Sequence, residues 1–187
     1  RHIGLWYLGP FARPGKQSGA WATTYRRRED FDGERTVLGS NNSNFMKGRP
    51  GEAVLISWDD ARTLFHEFGH ALHYFSSRVD FPTLNGALRD YVEFQSQLME
   101  RWLLTDAVAD NYLLHHETGA PIPKELVAKI RKAATFNQGF ATTEYLACAL
   151  LDLRYHIVDP TGIDPQNFER EVLRQLNMPA ELVMRHR

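Results

Sequence analysis

Two histidines and a glutamate occur together in the segment His66-Glu67-Phe68-Gly69-His70. Apolar residues recur around this segment at helical spacing, which predicts a helix. Four residues turn a helix by about 400°, so the side chains of His66 and His70 project within about 40° of each other. Two imidazoles so placed can bind one Zn²⁺ ion, and Glu67 can act as general base on a water molecule that the metal activates. The alternative is a pair of core histidines satisfied by hydrogen bonds.

A third metal ligand is expected on the next predicted helix, which begins with Asp90 as its cap. Hydrolytic zinc sites use three protein ligands and keep a fourth position for water. Glu93 is the better candidate, because the loop at 78–88 would reverse the chain and bring the first turn of this helix back to the histidines. Glu100 lies two turns further on, about 10 Å along the axis. Candidates for hydrogen bonds to the outer histidine nitrogens are Ser96, Gln97 and Glu100.

The remaining sequence predicts a mainly α single domain, residues 1–187, which we expect to be a fragment of a larger catalytic domain. Residues 1–56 have strand and loop character, and residues 57–187 form the helical region that carries the zinc site. Short apolar runs predict strands at 2–8, 19–25 and 35–39, assembled as a small antiparallel β-sheet, with turns at 41–44 and 48–51. Helices are predicted at 57–77, 90–103, 105–117, 124–134, 142–157 and 166–176, with a last one starting at 179.

The first of these helices has a capping residue, Ser57, and an interior glycine, Gly69. Its expected buried face consists of Ala61, Leu64, Phe65, Phe68, Leu72 and Phe75. Glycine inside a helix costs about 1 kcal/mol relative to alanine. We therefore expect a neighbouring strand or a substrate to approach the backbone of Gly69 closely.

Composition narrows the function classes. The chain has 22 Lys and Arg against 23 Asp and Glu, so its charge balance indicates no basic surface for nucleic acid or for an anionic membrane. A single cysteine, Cys148, excludes an intrachain disulfide framework and favours a reducing compartment. No apolar run reaches the roughly 18 to 20 residues of a membrane helix. We expect a peptide or small neutral substrate and a cytoplasmic location, with the periplasm as the open alternative.

Three separated motifs, at 64–77, 90–100 and 135–142, occur in an order that is found in one family. Together they resemble the thimet oligopeptidase and peptidyl-dipeptidase (dipeptidyl carboxypeptidase) family of zinc metallopeptidases. The loop at 9–16 and the following Gly19-Ala20 are similar to the strands that precede the catalytic helix in that family. The resemblance covers nearly the whole chain and favours the bacterial peptidyl-dipeptidase branch.

This resemblance implies a zincin-like helical fold with one Zn²⁺ held by His66, His70 and Glu93, and with Glu67 as the general base. It implies short peptide substrates, no nucleic-acid or membrane partner, and the missing N- and C-terminal parts of the same enzyme as partners. The sequence departs from the family in a loop about two residues shorter between the two helices, and in Gln95, where proline is common.

The leading predicted function is zinc-dependent hydrolysis of short peptides, either by internal cleavage or by release of C-terminal dipeptides. Family members continue beyond a stretch like residues 181–187 into a segment that stabilises the oxyanion, so the chain alone could be nearly inactive. The alternative is therefore a zinc-binding but catalytically incomplete fragment with a structural or assembly role. A third hypothesis is a helical binding module without metal.

Overall fold

The computed structural model describes residues 2–184, apart from the side chain of Pro82. The chain divides into two compact units, Arg1–Ile122 and Pro123–Arg187. A mainly helical chain with a small sheet near its N-terminus is confirmed. The single domain expected from the sequence stays a prediction.

The first unit begins with a three-stranded sheet of β1 (Gly4–Phe11), β2 (Trp21–Arg26) and β3 (Val37–Phe45). The strand order is β1-β3-β2, with β3 in the centre. β2 runs antiparallel to β3, but β1 runs parallel to it, so the expectation of an antiparallel sheet was wrong for this pair. The chain reverses direction between β1 and β2 and again between β2 and β3, so β1 and β3 run in the same direction. They are hydrogen-bonded neighbours because β3 is the central strand.

β3 extends through the asparagine-rich stretch that the sequence predicted as a turn. In place of turn contacts, Asn41 accepts a hydrogen bond from the Trp6 indole, and the Asn44 side-chain amide donates to two backbone carbonyls at 2.7 and 2.8 Å. Strand partners on both sides override the local turn preference. Lys16 ties β1 to β3, because its ammonium donates to three backbone carbonyls, those of Gly9, Phe11 and Ser43.

α1 (Trp58–Ser76) begins as predicted. The Ser57 hydroxyl accepts a hydrogen bond from the Asp60 backbone N–H, and the Asp60 carboxylate accepts one from the Ser57 N–H, each at 3.0 Å. This reciprocal pair is a capping box. One face of the helix packs on the sheet, where Phe68 meets Trp6 edge to face with ring centroids 5.2 Å apart. Leu72, expected in the buried stripe, is 39% exposed.

A loop with a single 3-10 turn at Pro82–Leu84 leads to α2 (Phe94–Glu100), which a 3-10 helix at Arg101–Leu104 follows directly. α2 thus begins four residues after Asp90, which does not cap it, and the residue at its N-cap is Glu93. α3 (Asp106–Asn111) is shorter than the predicted helix at 105–117. The chain folds back there, since Ile122 donates to the Leu113 carbonyl at 2.9 Å.

The second unit contains α4 (Lys124–Ala133), α5 (Gln138–Ile157) and α6 (Pro165–Gln175). α5 starts four residues before its predicted start, and α6 is capped by Asp164, whose side chain accepts from the Asn167 N–H at 3.0 Å. Its core consists of Ala147, Leu151, Val172, Leu173 and Met184. The described residues after Gln175 contain no helix, so the helix predicted from Pro179 was wrong for 179–184, while 185–187 lie outside the described residues.

Among the helices of residues 2–184, none combines the length and the apolar character that a membrane span requires.

Candidate metal centre

Gly69 allows α1 and α2 to pack with their backbones almost in contact. A Cβ atom at this position would lie 2.6 Å from Ser96 Cα, 2.8 Å from the Gln95 carbonyl oxygen and 2.9 Å from Met99 Cβ. Real Cβ atoms essentially never come within 3.0 Å of such neighbours. The close approach that the sequence predicted is thus confirmed, but the neighbour is α2 and neither a strand nor a substrate.

This packing brings together the three side chains that the sequence predicted as metal ligands. The Oε2 atom of Glu93 lies 3.1 Å from His66 Nε2 and 3.2 Å from His70 Nε2. One potential ligand atom from each of the three residues lies within 4.8 Å of the others. The two imidazoles contribute adjacent nitrogens from successive turns of α1, and the carboxylate comes from the start of α2. The arrangement forms a candidate metal site, and the role of each residue as a ligand stays a prediction.

Two further side chains hold these groups in place. Glu100 Oε1 lies 2.7 Å from His66 Nδ1, the nitrogen that faces away from Glu93. Ser96, which is fully buried, donates from its hydroxyl to Glu93 Oε2 at 2.8 Å. Of the three positioning candidates, Glu100 therefore contacts a histidine and Ser96 contacts the carboxylate.

Arg62 was not among the predicted site residues, and its Nε lies 3.4 Å from Glu100 Oε2. Arg62 precedes His66 by four residues on α1, so helical spacing places both side chains on one face. The spacing of Arg62 and His66 in the sequence could therefore have identified Arg62 as a neighbour of the site.

His73, considered as a neighbour of the site or a packing residue, stacks on Tyr74 with ring centroids 6.1 Å apart.

Glu67 is buried on α1, with 6% of its surface exposed. Burial raises the pKa of its carboxyl group above the ordinary value of 4.5; the His66 imidazole works against this rise, and the Glu93 carboxylate adds to it. A glutamate with a raised pKa retains a proton more readily and is suited to general acid–base work.

The pKa values of His70 and Glu93, whose Nε2 and Oε2 atoms lie 3.2 Å apart, are both lowered, for different reasons. Burial lowers the pKa of His70 below 6.5, even though Glu93 acts to raise it. Partial burial acts to raise the pKa of Glu93, but the Ser96 hydrogen bond and the two imidazoles outweigh it and hold the pKa below 4.5. At neutral pH the pair therefore offers a neutral imidazole and an ionised carboxylate, the forms that bind a cation.

Comparison with known proteins gives a family match over residues 1–180, to the model described as peptidase family M3. The chain is 39% identical to dipeptidyl carboxypeptidase of Escherichia coli (strain K12) over 180 residues, which cover 94% of this chain and 26% of that protein. Identity to the Salmonella typhimurium dipeptidyl carboxypeptidase is 37%, over 95% of this chain and 27% of the relative. Oligopeptidase A of Haemophilus influenzae is 32% identical over 82% of the chain and 23% of its own length. The chain thus spans about a quarter of the length of these relatives.

Proposed function

The chain belongs to peptidase family M3, and we propose that it carries the zinc site and the general base of a metallopeptidase that hydrolyses short peptides. The observation that supports this most directly is the convergence of His66, His70 and Glu93 next to the buried Glu67. The substrate class is that named for the relatives, which are peptidases. Higher identity to dipeptidyl carboxypeptidases than to oligopeptidase A favours release of C-terminal dipeptides over internal cleavage.

The geometry of the three side chains fits zinc. Ligands at about 2.0 to 2.2 Å from a tetrahedral zinc ion lie about 3.3 to 3.6 Å from one another. The 3.1 and 3.2 Å separations between Glu93 and the two histidines are close to this spacing. Two nitrogen donors and one carboxylate are also a ligand set that hydrolytic zinc sites use.

Each residue then has a defined task. His66, His70 and Glu93 would hold Zn²⁺, which supplies Lewis acidity that polarises a carbonyl oxygen and makes a water molecule more acidic. The Glu67 carboxylate accepts the proton from the attacking water and donates it to the amine that leaves when the peptide bond breaks. Burial of Glu67 supports this task, because its raised pKa lets the side chain hold that proton between the two steps.

A second candidate function is a zinc-binding piece that is catalytically incomplete and has a structural or assembly role. The observation that favours it is the length of the relatives, of which the chain covers about a quarter. Under this alternative the metal binds, but the chain alone does not turn over peptides.

Metal analysis tests the proposal first. We expect one zinc per chain after purification, lost in Glu93→Gln and retained in Glu67→Gln and in the exposed control Glu52→Gln. Absence of zinc in the unaltered chain would contradict the metal site and favour a metal-free module.

Peptidase activity then separates the two candidate functions. We expect a protein with the full length of the relatives to release dipeptides from a peptide with a blocked N-terminus. Glu67→Gln should reduce its turnover about 100- to 10,000-fold while zinc stays bound. Full turnover in that variant would refute the assignment of Glu67. Zinc binding without turnover by the 187-residue chain would support the incomplete fragment.

A further inference from the structure

We propose that Glu100 is a positioning residue for the metal site, which holds the His66 imidazole in the tautomer and orientation that direct Nε2 towards the metal. This inference rests on the proposed zinc-dependent function. It concerns the chain's own residues and is testable without enzymatic activity.

The two nitrogens of His66 face different carboxylates. Nε2 lies 3.1 Å from Glu93 Oε2, and Nδ1 lies 2.7 Å from Glu100 Oε1. An ionised carboxylate can only accept a hydrogen bond, so Glu93 and Glu100 compete for the ring proton of His66, and the shorter contact, with Glu100, favours the proton on Nδ1. Nε2 then retains its lone pair, which is the form of imidazole that binds a metal. The contact with Glu100 therefore selects which nitrogen of His66 is available to the ion.

Glu100 is itself held on its second oxygen. Arg62 Nε lies 3.4 Å from Glu100 Oε2, so α1 presents a guanidinium and, one turn later, an imidazole to the two oxygens of one carboxylate. Contacts to both oxygens restrict rotation of the carboxylate plane. The side chain of Glu100 is 23% exposed and that of Arg62 is 59% exposed, so the contact with His66 is the more shielded of the two.

His66 needs this partner more than His70 does. The side chain of His70 is 11% exposed, so the surrounding atoms restrict its ring, whereas that of His66 is 24% exposed. A partly exposed ring keeps more rotamer freedom, and a hydrogen bond at its outer nitrogen removes that freedom.

The competing explanation is that Glu100 only braces α1 against α2 through its ion pair with Arg62. Arg62→Gln separates the two roles, because it removes the guanidinium and leaves the contact between Glu100 and His66 intact. Glu100→Gln removes the charge that faces His66 and keeps the size of the side chain. Glu52→Gln makes the same chemical change at an exposed position and serves as the matched control.

The first measurement is the dissociation constant of Zn²⁺, by competition with a chelator of known affinity, in the unaltered chain and in the three variants. Loss of a carboxylate that supports a ligating histidine typically weakens metal binding about 10- to 100-fold. We expect that loss in Glu100→Gln, a smaller loss in Arg62→Gln, because the contact between Glu100 and His66 remains, and the unaltered affinity in Glu52→Gln. Equal affinity in Glu100→Gln and the unaltered chain, or an equal loss in Arg62→Gln and Glu100→Gln, would overturn the positioning role.

The second measurement uses Glu93→Gln, which removes the carboxylate that faces Nε2 and leaves Glu100 in contact with Nδ1. Nitrogen-15 NMR of this variant without metal at pH 8 reports the tautomer of His66, and we expect the proton on Nδ1. A proton on Nε2 would overturn the inference, including the case in which Glu100→Gln fails to fold. Failure of the unaltered chain to bind zinc would instead refute the proposed function, and the tautomer would still decide the role of Glu100.

Discussion

Gly69→Ala is expected to lower the free energy of unfolding, although alanine is the better helix former. The variant adds one methyl group to α1 at the point where α2 packs against it. Two of the three atoms within 3.0 Å of the added carbon, Ser96 Cα and the Gln95 carbonyl oxygen, belong to the backbone of α2. The end of a flexible side chain can relieve a close contact by changing its rotamer, but backbone atoms cannot. The two helices must therefore separate.

The magnitude follows from this geometry. Carbon atoms in contact prefer a separation of about 3.5 to 4.0 Å, so relief of the 2.6 Å approach at Ser96 requires a shift of about 1 Å. Overpacking of this kind costs about 1 to 3 kcal/mol, and backbone contact places Gly69→Ala near the upper end. Alanine regains about 1 kcal/mol of helix propensity. The expected net loss is about 2 kcal/mol, or a decrease in Tm of about 4 to 8 °C.

The same displacement moves Glu93 away from the two histidines, since Glu93 directly precedes α2. Metal sites tolerate changes in ligand distance of only about 0.2 Å. A shift of about 1 Å therefore lowers the affinity for zinc as well as the stability of the metal-free chain.

Thermal and urea denaturation of the metal-free chain, followed by zinc titration, measure both effects. Gly139→Ala is the matched control: it lies at the second position of α5, and a Cβ atom there meets nothing within 4 Å. We expect the control to be neutral or slightly stabilised, and to bind zinc as the unaltered chain does. A stabilised Gly69→Ala with unchanged zinc affinity would refute the argument that close backbone packing sets the position of Glu93.

Three further predictions concern single side chains. Because burial raises the pKa of Glu67 above 4.5, the metal-free chain should lose stability as the pH rises from 4.5 through the raised pKa, since the unfolded chain releases a proton that the folded chain retains. Denaturation at several pH values should show this slope reduced in Glu67→Gln, and equal slopes would contradict it. Lys16→Met removes an ammonium that donates to three backbone carbonyls and should cost about 1.5 to 3 kcal/mol in urea denaturation; an unchanged midpoint would show that these contacts contribute little. Ser96→Ala removes a hydrogen bond to Glu93, so the pKa of Glu93 measured by NMR should rise towards 4.5 and zinc affinity should fall; a pKa that stays in place would contradict this.

The sequence predicted α1 well because its signals are local. Ser57 and Asp60 form the capping box within one turn of chain, and the recurrence of apolar residues sets the period. The spacing of His66 and His70 follows from that period. The buried face was predicted less well, since the exposure of Leu72 depends on what packs against the helix.

Elements that depend on distant partners were predicted less well. β3 was cut short in the prediction because asparagines favour turns, whereas strands on both sides and hydrogen bonds to their side chains stabilise the extended chain. The predicted start of α2 at Asp90 relied on a capping preference that the structure does not use. Glu93 was identified as a ligand candidate despite this error, because its position relative to the histidines depends on the reversal of the chain and not on the first helical residue.

The connection between α1 and α2 can accept changes in length without disturbing the site. The two helices are joined directly through the packing at Gly69 and the contact between Glu100 and His66. The connection has its own anchor at Asn85, whose carbonyl accepts a hydrogen bond from Arg27 at 2.7 Å. Doubling a flexible loop costs only about 0.6 kcal/mol. The stretch at 78–84 is therefore a natural insertion point for an affinity tag or a fluorescent reporter.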